Sequence, residues 1–449
     1  MAVGPRVNTD PGIMIERTFD ATPRIVITGL GAVCGAGLTV EAIWNAVQQG
    51  KSAIAPITHW DASRWPIQQA AEITGVSDAT LVADRKYHKF LSRTDLFGLY
   101  ATDIALQQSG LTSHRDRMDS ASAALFNDRS GVFVGSGGGA YQNSYDFFPA
   151  LTAAGGDLRA FGREIESCVN PMWLLTRLPN NVLCYTGIRY SFKGTNACIT
   201  NQCAGGALAI AEAAAAIRSG EADRAVATGH DAPIEPETLL YYHQAGLLSQ
   251  DVLRPFDWGR TGTILGEGAA SVVLEKESDA RARQARVCGE FLGSGCTTEA
   301  TGIVAVRPDG DGLSRAIEMA LADANLQSDR VGLVVAHGNG TLASDASEAK
   351  AIRRVFGKSP PPVAAFKWAV GHALAASGAL DVVLALTALE QGVVPGIATL
   401  DCLDPELAPL PVSREPQRPR SDIALVLNRG FGGMNVALVV RALGADTAR

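Results

Sequence analysis

One cysteine occupies a position suited to a nucleophile. Cys203 follows the polar run 200–202 and precedes the segment 204–206, which opens an alanine-rich helical stretch. If a strand comes before this run, the thiol lies at a strand-to-helix elbow, where the free N–H groups of the helix N-terminus lower a thiol pKa. A free cysteine is more commonly an inert buried residue, so spacing alone leaves the two interpretations even. Cys198 is predicted to lie inside the preceding strand and to be structural.

Two histidines and one lysine follow apolar runs later in the chain. His337 ends the run 333–336 and is followed by glycine, a position from which a side chain faces a cleft. His372 comes five residues after Lys367, which itself follows the apolar run 363–366. A lysine at the end of a buried strand needs a carboxylate or another hydrogen-bond partner. A lone histidine is more often an ordinary core or surface residue, and the other histidines of the chain are interpreted in that way.

Two carboxylates lie between these histidines. Asp345 and Glu348 have the spacing of a capping box ahead of a predicted helix at 349–356, and helix capping alone would explain both. Glu348 is also the candidate partner for the Lys367 ammonium.

A glycine-rich segment at 428–433 follows another apolar strand and carries one bulky aromatic residue, Phe431. This pattern is typical of a mobile loop whose side chain can swing. An ordinary turn with a core phenylalanine is the alternative.

The elements that would position these side chains alternate along the chain between strands and helices. The predicted strands are 25–28, 131–135, 224–228, 271–274, 333–337, 363–366, 423–427 and 436–440. Their continuous apolar character indicates sheets covered on both faces by helices. Strand–helix alternation predicts an α/β fold.

An internal repeat indicates two related halves. The segments 206–220 and 378–392 both begin Gly-Ala-Leu, and both read as an apolar helix ended by glycine. The repeat predicts an N-terminal half at 24–278 with the nucleophile and a C-terminal half at 287–443 with the two histidines. Residues 1–23 mix Pro, Asp, Arg and Thr without a period and are predicted to be a loose leader. Two similar halves packed together would place a site at the seam between them.

Composition disfavours several classes of protein. Of 449 residues, 47% are hydrophobic and 19% are charged, so the chain is neither disordered nor a coiled coil. The net charge of −7 disfavours a nucleic-acid or anionic-membrane partner. No uncharged apolar run reaches the length of about 20 residues that a membrane span needs, and no signal peptide is recognisable. The eight cysteines form no CxxC pair, which indicates free thiols in a reducing cytoplasm rather than disulfides or a zinc site.

Taken together, these segments resemble the elongating β-ketoacyl-acyl-carrier-protein synthases of the thiolase superfamily. The resemblance runs from about Arg24 to Arg441, and its motifs occur in the family's order. They lie at 26–31, 203, 254–257, 336–338, 345, 348, 367–372 and 430–433. The resemblance implies a thiolase-like fold, in which two similar βα halves form a layered αβαβα core.

The resemblance also implies a reaction. Cys203, rather than Cys198, matches the family nucleophile and would hold the first acyl chain as a thioester. His337 and His372, as neutral hydrogen-bond donors, would stabilise the enolate that forms when a malonyl extender loses carbon dioxide. The enzyme would be an acyltransferase of fatty-acid or polyketide-type chain elongation.

The remaining motif residues take supporting roles by the same resemblance. Lys367, paired with Glu348 and supported by Asp345, would hold the geometry and bias histidine protonation. The backbone N–H groups of Cys203 and Phe431 would form the oxyanion hole, and Phe431 would also act as a gate. No metal or redox cofactor is implied, because the phosphopantetheine arm of an acyl carrier protein delivers the acyl groups.

Three positions depart from the family pattern. Gln202 stands before the nucleophile, where the family usually has a small residue. Asn339 replaces a threonine expected to hold the pantetheine arm, whereas Thr341 keeps the second hydroxyl. Arg429 stands where the gating loop often carries an aromatic residue. These changes crowd or polarise the pocket mouth and make a specialised polyketide-like pathway more plausible than housekeeping elongation.

Two positions bear on the length of the acyl chain. Gly138 aligns with a residue that often limits pocket depth, which implies a roomier pocket. Trp173 aligns with a pocket-end residue contributed across the family's dimer interface, and would restrict or stack against a rigid or unsaturated chain. These opposing indications leave chain length open, and a homodimer and a heterodimer with a ketosynthase-like subunit are both compatible with the sequence.

A basic cluster is predicted to dock the carrier protein. Arg85, Lys86, Lys89 and Arg93 are expected on one face of a helix, with a spacing of four residues between positions 85, 89 and 93. Carrier proteins are typically acidic, so a basic face near the pocket mouth would steer their encounter. A solvated basic helix face is the alternative.

Other classes of protein are weighed against this interpretation. A non-catalytic chain-length-factor type of partner typically lacks the nucleophilic cysteine, so Cys203 with both histidines argues against it. A Cys-His hydrolase or protease is disfavoured by the second histidine. A thiolase would carry a second cysteine where this chain has His372.

Overall fold

The computed structural model describes residues 23–137, 147–168 and 172–443. In these ranges the strands are β1 (Ile25–Cys34), β2 (Ala55–Pro56), β3 (Gln69–Ala70), β4 (Ser130–Ser136), β5 (Asn196–Ile199), β6 (Arg224–Asp231), β7 (Gly268–Lys276), β8 (Gly289–Thr298), β9 (Leu333–Val335), β10 (Val363–Ala364), β11 (Ile423–Gly430) and β12 (Met434–Ala442). The helices are α1 (Val40–Gln48), α2 (Asp78–Leu81), α3 (Arg93–Ser109), α4 (Leu111–Arg115), α5 (Ser120–Asp128), α6 (Phe148–Ala153), α7 (Leu158–Cys168), α8 (Asn181–Tyr190), α9 (Gly205–Arg218), α10 (Pro236–Gln244), α11 (Glu277–Ala282), α12 (Asp311–Asp323), α13 (Leu342–Phe356), α14 (Lys367–Val370) and α15 (Ser377–Gln391). Of the predicted leader at 1–23, only Pro23 belongs to the described residues.

The main sheet has the same strand pattern on both sides of its centre. Ten strands of the described chain form it, in the order β10-β9-β11-β12-β8-β1-β7-β6-β4-β5. Outward from the β1–β8 pair, each half has two antiparallel neighbours followed by two parallel ones. The centre itself is a short antiparallel pairing of β1 with β8. Two similar halves, as predicted, therefore build the fold, while the domain boundaries at 24–278 and 287–443 stay a prediction.

Two buried helices lie between the halves of the sheet and explain the internal repeat. Helix α9 follows β5 and helix α15 follows β10, and each packs on the other and on strands of both halves. A Cβ added to Gly206 would lie 2.6 Å from the carbonyl oxygen of Ala375, and one added to Gly378 would lie 2.7 Å from the Cβ of Ala207. The repeated glycines are thus required by the close contact of the two helices.

The outer faces of the sheet are covered by other helices. Helix α3 packs on β1, β7 and β6, whereas α12 packs on β8 and β12. The order of layers is therefore helix, sheet, paired central helices, sheet and helix, which is the predicted αβαβα arrangement. The segment Leu374–Gln391 is apolar enough and long enough to cross a membrane, but 89% of it is buried, and α15 is a central core helix.

All eight predicted strands are present, whereas the long strand β8 and the two-residue strands β2 and β3 were not predicted. Glycines interrupt the apolar pattern of β8 because α12 approaches the strand closely: a Cβ on Gly295 would lie 2.1 Å from the carbonyl oxygen of Ala316. Strand β9 ends at Val335, so His337 lies just beyond the strand rather than at its last residue.

Candidate active site

The turn that carries Cys203 is the predicted strand-to-helix elbow. Strand β5 ends at Ile199, a short 3-10 helix spans Gln202–Ala204, and α9 begins at Gly205. Gln202 has a φ of 45°, a left-handed conformation unusual for a non-glycine residue, and its side-chain Nε2 donates to the Gly137 carbonyl at 3.1 Å. This strained turn presents the Cys203 side chain at the start of the helix, where it is only 4% exposed.

The charge state of the thiol differs from the expectation. Burial raises the pKa of Cys203 to about 12, and the nearby carboxyl of Asp231 acts in the same direction, whereas Lys367 opposes both. The expected lowering of the thiol pKa is therefore wrong for the unacylated site, because desolvation outweighs the helix N-terminus. Asp231 ends β6 and accepts hydrogen bonds from the backbone N–H groups of Ala232 and Ala375 at 2.9 and 3.3 Å.

The structure brings the two predicted histidines together. The rings of His337 and His372 have centroids 5.2 Å apart and are nearly perpendicular, at 83°. Burial, with the charge of Lys367 as the next cause, lowers the pKa of both imidazoles well below the ordinary value. Both rings are therefore neutral at neutral pH.

Their Nδ1 atoms have partners that fix which nitrogen carries the proton. The backbone N–H of Arg429 donates to His337 Nδ1 at 3.4 Å, so the proton of that ring lies on Nε2. The hydroxyl of Ser377 lies 3.0 Å from His372 Nδ1, and as the donor it would leave the proton of that ring on Nε2 as well. The arrangement can supply two neutral N–H donors to one oxygen atom.

The partner of Lys367 is not the predicted one. Its Nζ donates to Asp381 Oδ2 at 2.9 Å, and both side chains are buried. The carboxylate of Glu348 instead accepts from the backbone N–H groups of His337 and Gly338, at 2.7 and 2.9 Å. The predicted Lys367–Glu348 pair is therefore wrong, because both carboxylate oxygens of Glu348 accept hydrogen bonds from the backbone of His337 and Gly338.

Asp345 has a similar backbone role. It accepts from the N–H groups of Phe256 and Gly340 at 2.8 and 3.2 Å. Helix α13 begins at Leu342, so Asp345 and Glu348 lie within the helix and do not cap it. The capping explanation is therefore wrong, and both carboxylates instead hold the loop that carries His337.

Phe431 stands between the nucleophile and a larger space. It opens a 3-10 helix after β11, and its ring centroid lies 5.3 Å from that of Tyr242 and 6.4 Å from that of Tyr241. A Cβ on the preceding Gly430 would lie 3.4 Å from the Ala204 nitrogen, so this backbone runs directly beside the nucleophile turn. The segment that leads into Phe431 thus lies beside the turn that carries Cys203, and the oxyanion hole of their two N–H groups stays a prediction.

Two adjoining cavities share this boundary. The smaller, of about 70 Å³, is lined by Cys203, His337 and His372. The larger has a volume of about 550 Å³, and Gln202 and Asp231 are among its lining residues. Phe431, Tyr242 and Ile303 line both. We name the smaller space the nucleophile chamber and the larger one the acyl cavity, after the roles that the sequence predicts for them.

Asn339, Thr341 and Arg429, which the sequence analysis compared with the family pattern, also line the nucleophile chamber. Asn339 Oδ1 accepts from both the backbone N–H and the hydroxyl of Thr341, at 3.0 and 2.8 Å. Arg429 forms a buried ion pair with Glu299 and donates to the Ser344 carbonyl at 3.2 Å. Glu299 was not predicted from the sequence as the partner of Arg429, although a buried arginine requires a partner of this kind.

Two predicted pocket residues remain untested. Gly138 lies outside the described residues. Trp173 packs edge-on against Phe147, with a centroid distance of 5.8 Å. It is not among the described residues that line the acyl cavity or the nucleophile chamber.

The predicted docking helix is interrupted, and one of its four residues is structural. Arg93 begins α3, is only partly exposed, and donates twice to Glu267 at 2.6 Å and once to the Ile73 carbonyl, so it has a structural role and its part in docking stays a prediction. Arg85, Lys86 and Lys89 are exposed, but they precede α3 in a turn and a 3-10 helix. The sequence pattern missed this break because the segment has helical spacing without a proline or glycine.

The described residues contain neither a metal-binding cluster nor a disulfide. Among the described residues, no group of three or more His, Cys, Asp or Glu side chains is arranged to hold a metal ion. All eight cysteines are free. The expectation that no cofactor is needed stays a prediction.

Two family models match the chain in succession. Residues 22–280 match the model described as "Beta-ketoacyl synthase, N-terminal domain", and residues 288–401 match "Beta-ketoacyl synthase, C-terminal domain". The 3-oxoacyl-(acyl-carrier-protein) synthase 2 of Synechocystis sp. is 32% identical over 426 residues, which cover 93% of this chain and 98% of that protein.

Solved structures are similar over the same range. The ishigamide ketosynthase/chain length factor has a TM-score of 0.84 at 27% identity, and the match covers 94% of this chain and 100% of that one. A type II PKS acyl-carrier protein in complex with its ketosynthase bound to the hexaketide gives a TM-score of 0.78 at 25% identity, with 94% and 100% coverage.

Proposed function

The chain belongs to the β-ketoacyl synthase family, and we propose that it condenses an acyl chain held on Cys203 with a malonyl group carried by an acyl carrier protein. It is an acyltransferase of the 3-oxoacyl-carrier-protein synthase type. The observation that carries the proposal is the meeting of one thiol and two neutral histidines in one chamber. Thiol and histidines serve successive half-reactions.

In the first half-reaction the chain is loaded. The Cys203 sulfur attacks the thioester carbonyl of the donor, a new C–S bond forms, and the donor's C–S bond breaks. The Cys203 proton leaves with the departing pantetheine thiol. The N–H groups of Cys203 and Phe431 receive the developing oxyanion, which is the role of such donors in acyl transfer.

In the second half-reaction the extender loses its carboxylate as carbon dioxide, and the electron pair of the broken C–C bond remains as an enolate. His337 and His372 donate hydrogen bonds through Nε2 to the enolate oxygen. The enolate carbon then attacks the Cys203 thioester, a C–C bond forms, and the Cys203 thiolate departs. Lys367 and Asp381 hold the core beneath the histidines.

A chain-length-factor type of partner is the second candidate and is not favoured. Such a subunit needs the shape of the fold but neither a nucleophile nor two histidines. This chain keeps Cys203, His337 and His372, and the backbone contacts of Glu348 and Asp345 support the loop that carries His337.

The acyl carrier protein is the proposed partner. Arg85, Lys86 and Lys89 form an exposed basic cluster on a chain whose net charge is −7, although Lys86 is paired with Asp84 at 2.8 Å. An acidic carrier would be steered toward this cluster. The carrier's phosphopantetheine arm would deliver the acyl groups, so the reaction needs no metal or redox cofactor. We also propose a cytoplasmic dimer.

Intact-protein mass spectrometry tests the function. The protein is mixed with acyl carrier proteins loaded with different acyl groups, and then with a malonyl-loaded carrier. The expected result is a mass increase by one acyl group, followed by its loss and by a carrier product extended by two carbons. Failure to acylate with any donor would argue against the enzyme and for the chain-length-factor alternative.

A further inference from the structure

The acyl cavity contains hydrogen-bonding side chains where a saturated chain would offer nothing to bond. Its lining includes Tyr242, Asp231, Gln202, Thr94, Ser136 and Thr238. Gln202, Asp231 and Thr94 already have partners within the protein. The group whose partner depends on the bound chain is therefore the Tyr242 hydroxyl, because an unpaired buried polar group is unfavourable.

Tyr242 is the polar group placed where the two cavities meet. It lies on α10, is 5% exposed and belongs to the same buried cluster as Cys203 and Phe431. Its hydroxyl is buried and has no nitrogen or oxygen partner among the described residues, and its hydrogen-bonding neighbour is the Cys203 thiol. Since its ring packs on Phe431, the hydroxyl is held in place as a donor at the entrance of the acyl cavity.

The electrostatic neighbour of this hydroxyl is the nucleophile. Burial raises the pKa of Tyr242, and the Cys203 thiol raises it further, while Tyr242 in turn lowers the pKa of the thiol. Acylation removes this interaction, because the neutral sulfur of a thioester is a weak acceptor. The thioester carbonyl is directed to the N–H groups of Cys203 and Phe431. The hydroxyl is then left beside the first carbons of the bound chain.

On the basis of the proposed function, we propose that Tyr242 selects acyl groups that carry an oxygen on the β-carbon. The next oxygen after the thioester carbonyl in a 3-oxoacyl or 3-hydroxyacyl chain lies two carbons further on, and the Tyr242 hydroxyl would donate to it. A saturated acyl group of equal length offers no acceptor there and leaves the hydroxyl unpaired. Sites built to bond a substrate oxygen reject analogues without it, here by about ten- to hundredfold.

Asp231 is a second polar group in the lining of the acyl cavity. Burial raises its pKa to about 7. Its two carboxyl oxygens accept hydrogen bonds from the backbone N–H groups of Ala232 and Ala375, so the Tyr242 hydroxyl is the donor on which the proposed selection depends.

The test compares two donors of equal length, the pantetheine thioesters of butanoic and 3-oxobutanoic acid. Acylation of Cys203 is followed by intact mass for the wild type and for Tyr242→Phe, which removes only the hydroxyl. The ratio of the two acylation rates is compared between proteins, so the greater intrinsic reactivity of the oxo donor cancels. Tyr100→Phe, in α3 and outside both cavities, is the matched control.

We expect Tyr242→Phe to lower the preference for the 3-oxobutanoyl donor by about tenfold or more, and Tyr100→Phe to keep the wild-type ratio. An unchanged ratio in Tyr242→Phe overturns the proposal. So does an equal loss with both donors accompanied by a shifted pH profile of Cys203 alkylation by iodoacetamide, because the hydroxyl then serves only the thiol. If the wild type accepts neither donor and no carrier-bound acyl group, the proposed function itself fails, which is a separate result.

Discussion

Asp381 accepts a hydrogen bond from the Lys367 ammonium, with 2.9 Å between Oδ2 and Nζ, in the buried core that also holds His337 and His372. The pair lies between α14 and α15, which are the elements that carry Lys367 and Asp381. After burial, the charge of Lys367 is the largest cause that lowers the pKa of His337 and His372. The ion pair thus links the stability of the core to the protonation of the site.

The stability of the protein should depend on both members of this pair. Asp381→Asn leaves a buried ammonium without a counter-charge, a change that costs about 3–5 kcal/mol of unfolding free energy. The double variant Lys367→Met/Asp381→Asn removes both charges and should be less destabilised than Asp381→Asn alone. Urea unfolding of the wild type and the two variants measures this, and equal losses in both variants would contradict a paired charge.

The acid limb of decarboxylation should depend on the same lysine. The histidines must be neutral, because protonation of His337 Nδ1 would set two N–H groups, its own and that of Arg429, against each other. Removing the Lys367 charge raises the histidine pKa values, so protonation begins at a higher pH. The acid limb of carbon dioxide release by Lys367→Met/Asp381→Asn should therefore move to higher pH than in the wild type. A limb that stays in place, or moves down, would contradict the role of the charge.

Cys203→Ala should abolish acyl loading, whereas Cys198→Ala should load largely as the wild type does. The reason is position: Cys203 opens the helix beside the chamber, while the Cys198 thiol lies in β5 and donates to the Pro179 carbonyl at 3.3 Å. Peptide mapping after loading locates the acyl group. Finding it on Cys198 would overturn the assignment.

His337→Ala and His372→Ala should each slow release of carbon dioxide from the malonyl extender more than they slow loading. Each removes one donor to the enolate oxygen, which forms only in the second half-reaction, and a lost oxyanion donor costs about 3 kcal/mol, or a factor of 10²–10³. Loading by intact mass and carbon dioxide release are measured on the same samples. Normal release by either variant would exclude that histidine from the enolate site.

Lys86→Glu/Lys89→Glu should raise the apparent KM for carrier-bound substrates by roughly tenfold and flatten its salt dependence. A small pantetheine thioester should be turned over at nearly the same rate, because it does not contact the basic cluster. Lys358→Glu, an exposed lysine outside the cluster, is the control. Equal loss with both kinds of substrate would indicate a folding effect and remove the docking claim.

The positions of the reactive side chains could be predicted from the sequence because each follows a local signal. Cys203 and Phe431 follow apolar strands that end in short polar or glycine-rich turns, and His337 lies close to the end of such a strand. Asp231 has the same signal, as the last residue of an apolar strand, and was overlooked. The glycine repeat at 206 and 378 also has a local signal, since both helices need a residue without a Cβ where they touch.

The partners of those side chains could not be predicted, because they are set by packing between distant segments. Asp381 is the single charged residue in an otherwise apolar stretch of α15, which marks it as buried but does not identify Lys367 as its partner. Glu299 and Arg429 form a buried ion pair between two distant segments of the C-terminal half, and the sequence does not identify them as partners either. The pKa of Cys203 also depends on burial of the thiol, which raises it. The helix N-terminus alone predicts a lowered pKa, which is the wrong direction.

Strand β1 lies at the centre of the sheet, between β7 and β8, although it is the first strand of the described chain to be synthesised. All ten of its residues are buried in the finished protein. Its first partner, β7, begins only at residue 268, so this apolar strand stays unpaired while the intervening residues are synthesised. Unpaired strands of this kind are the species that aggregate or that chaperones hold. We therefore expect residues 25–34 to need protection from aggregation until β7 and β8 have been made.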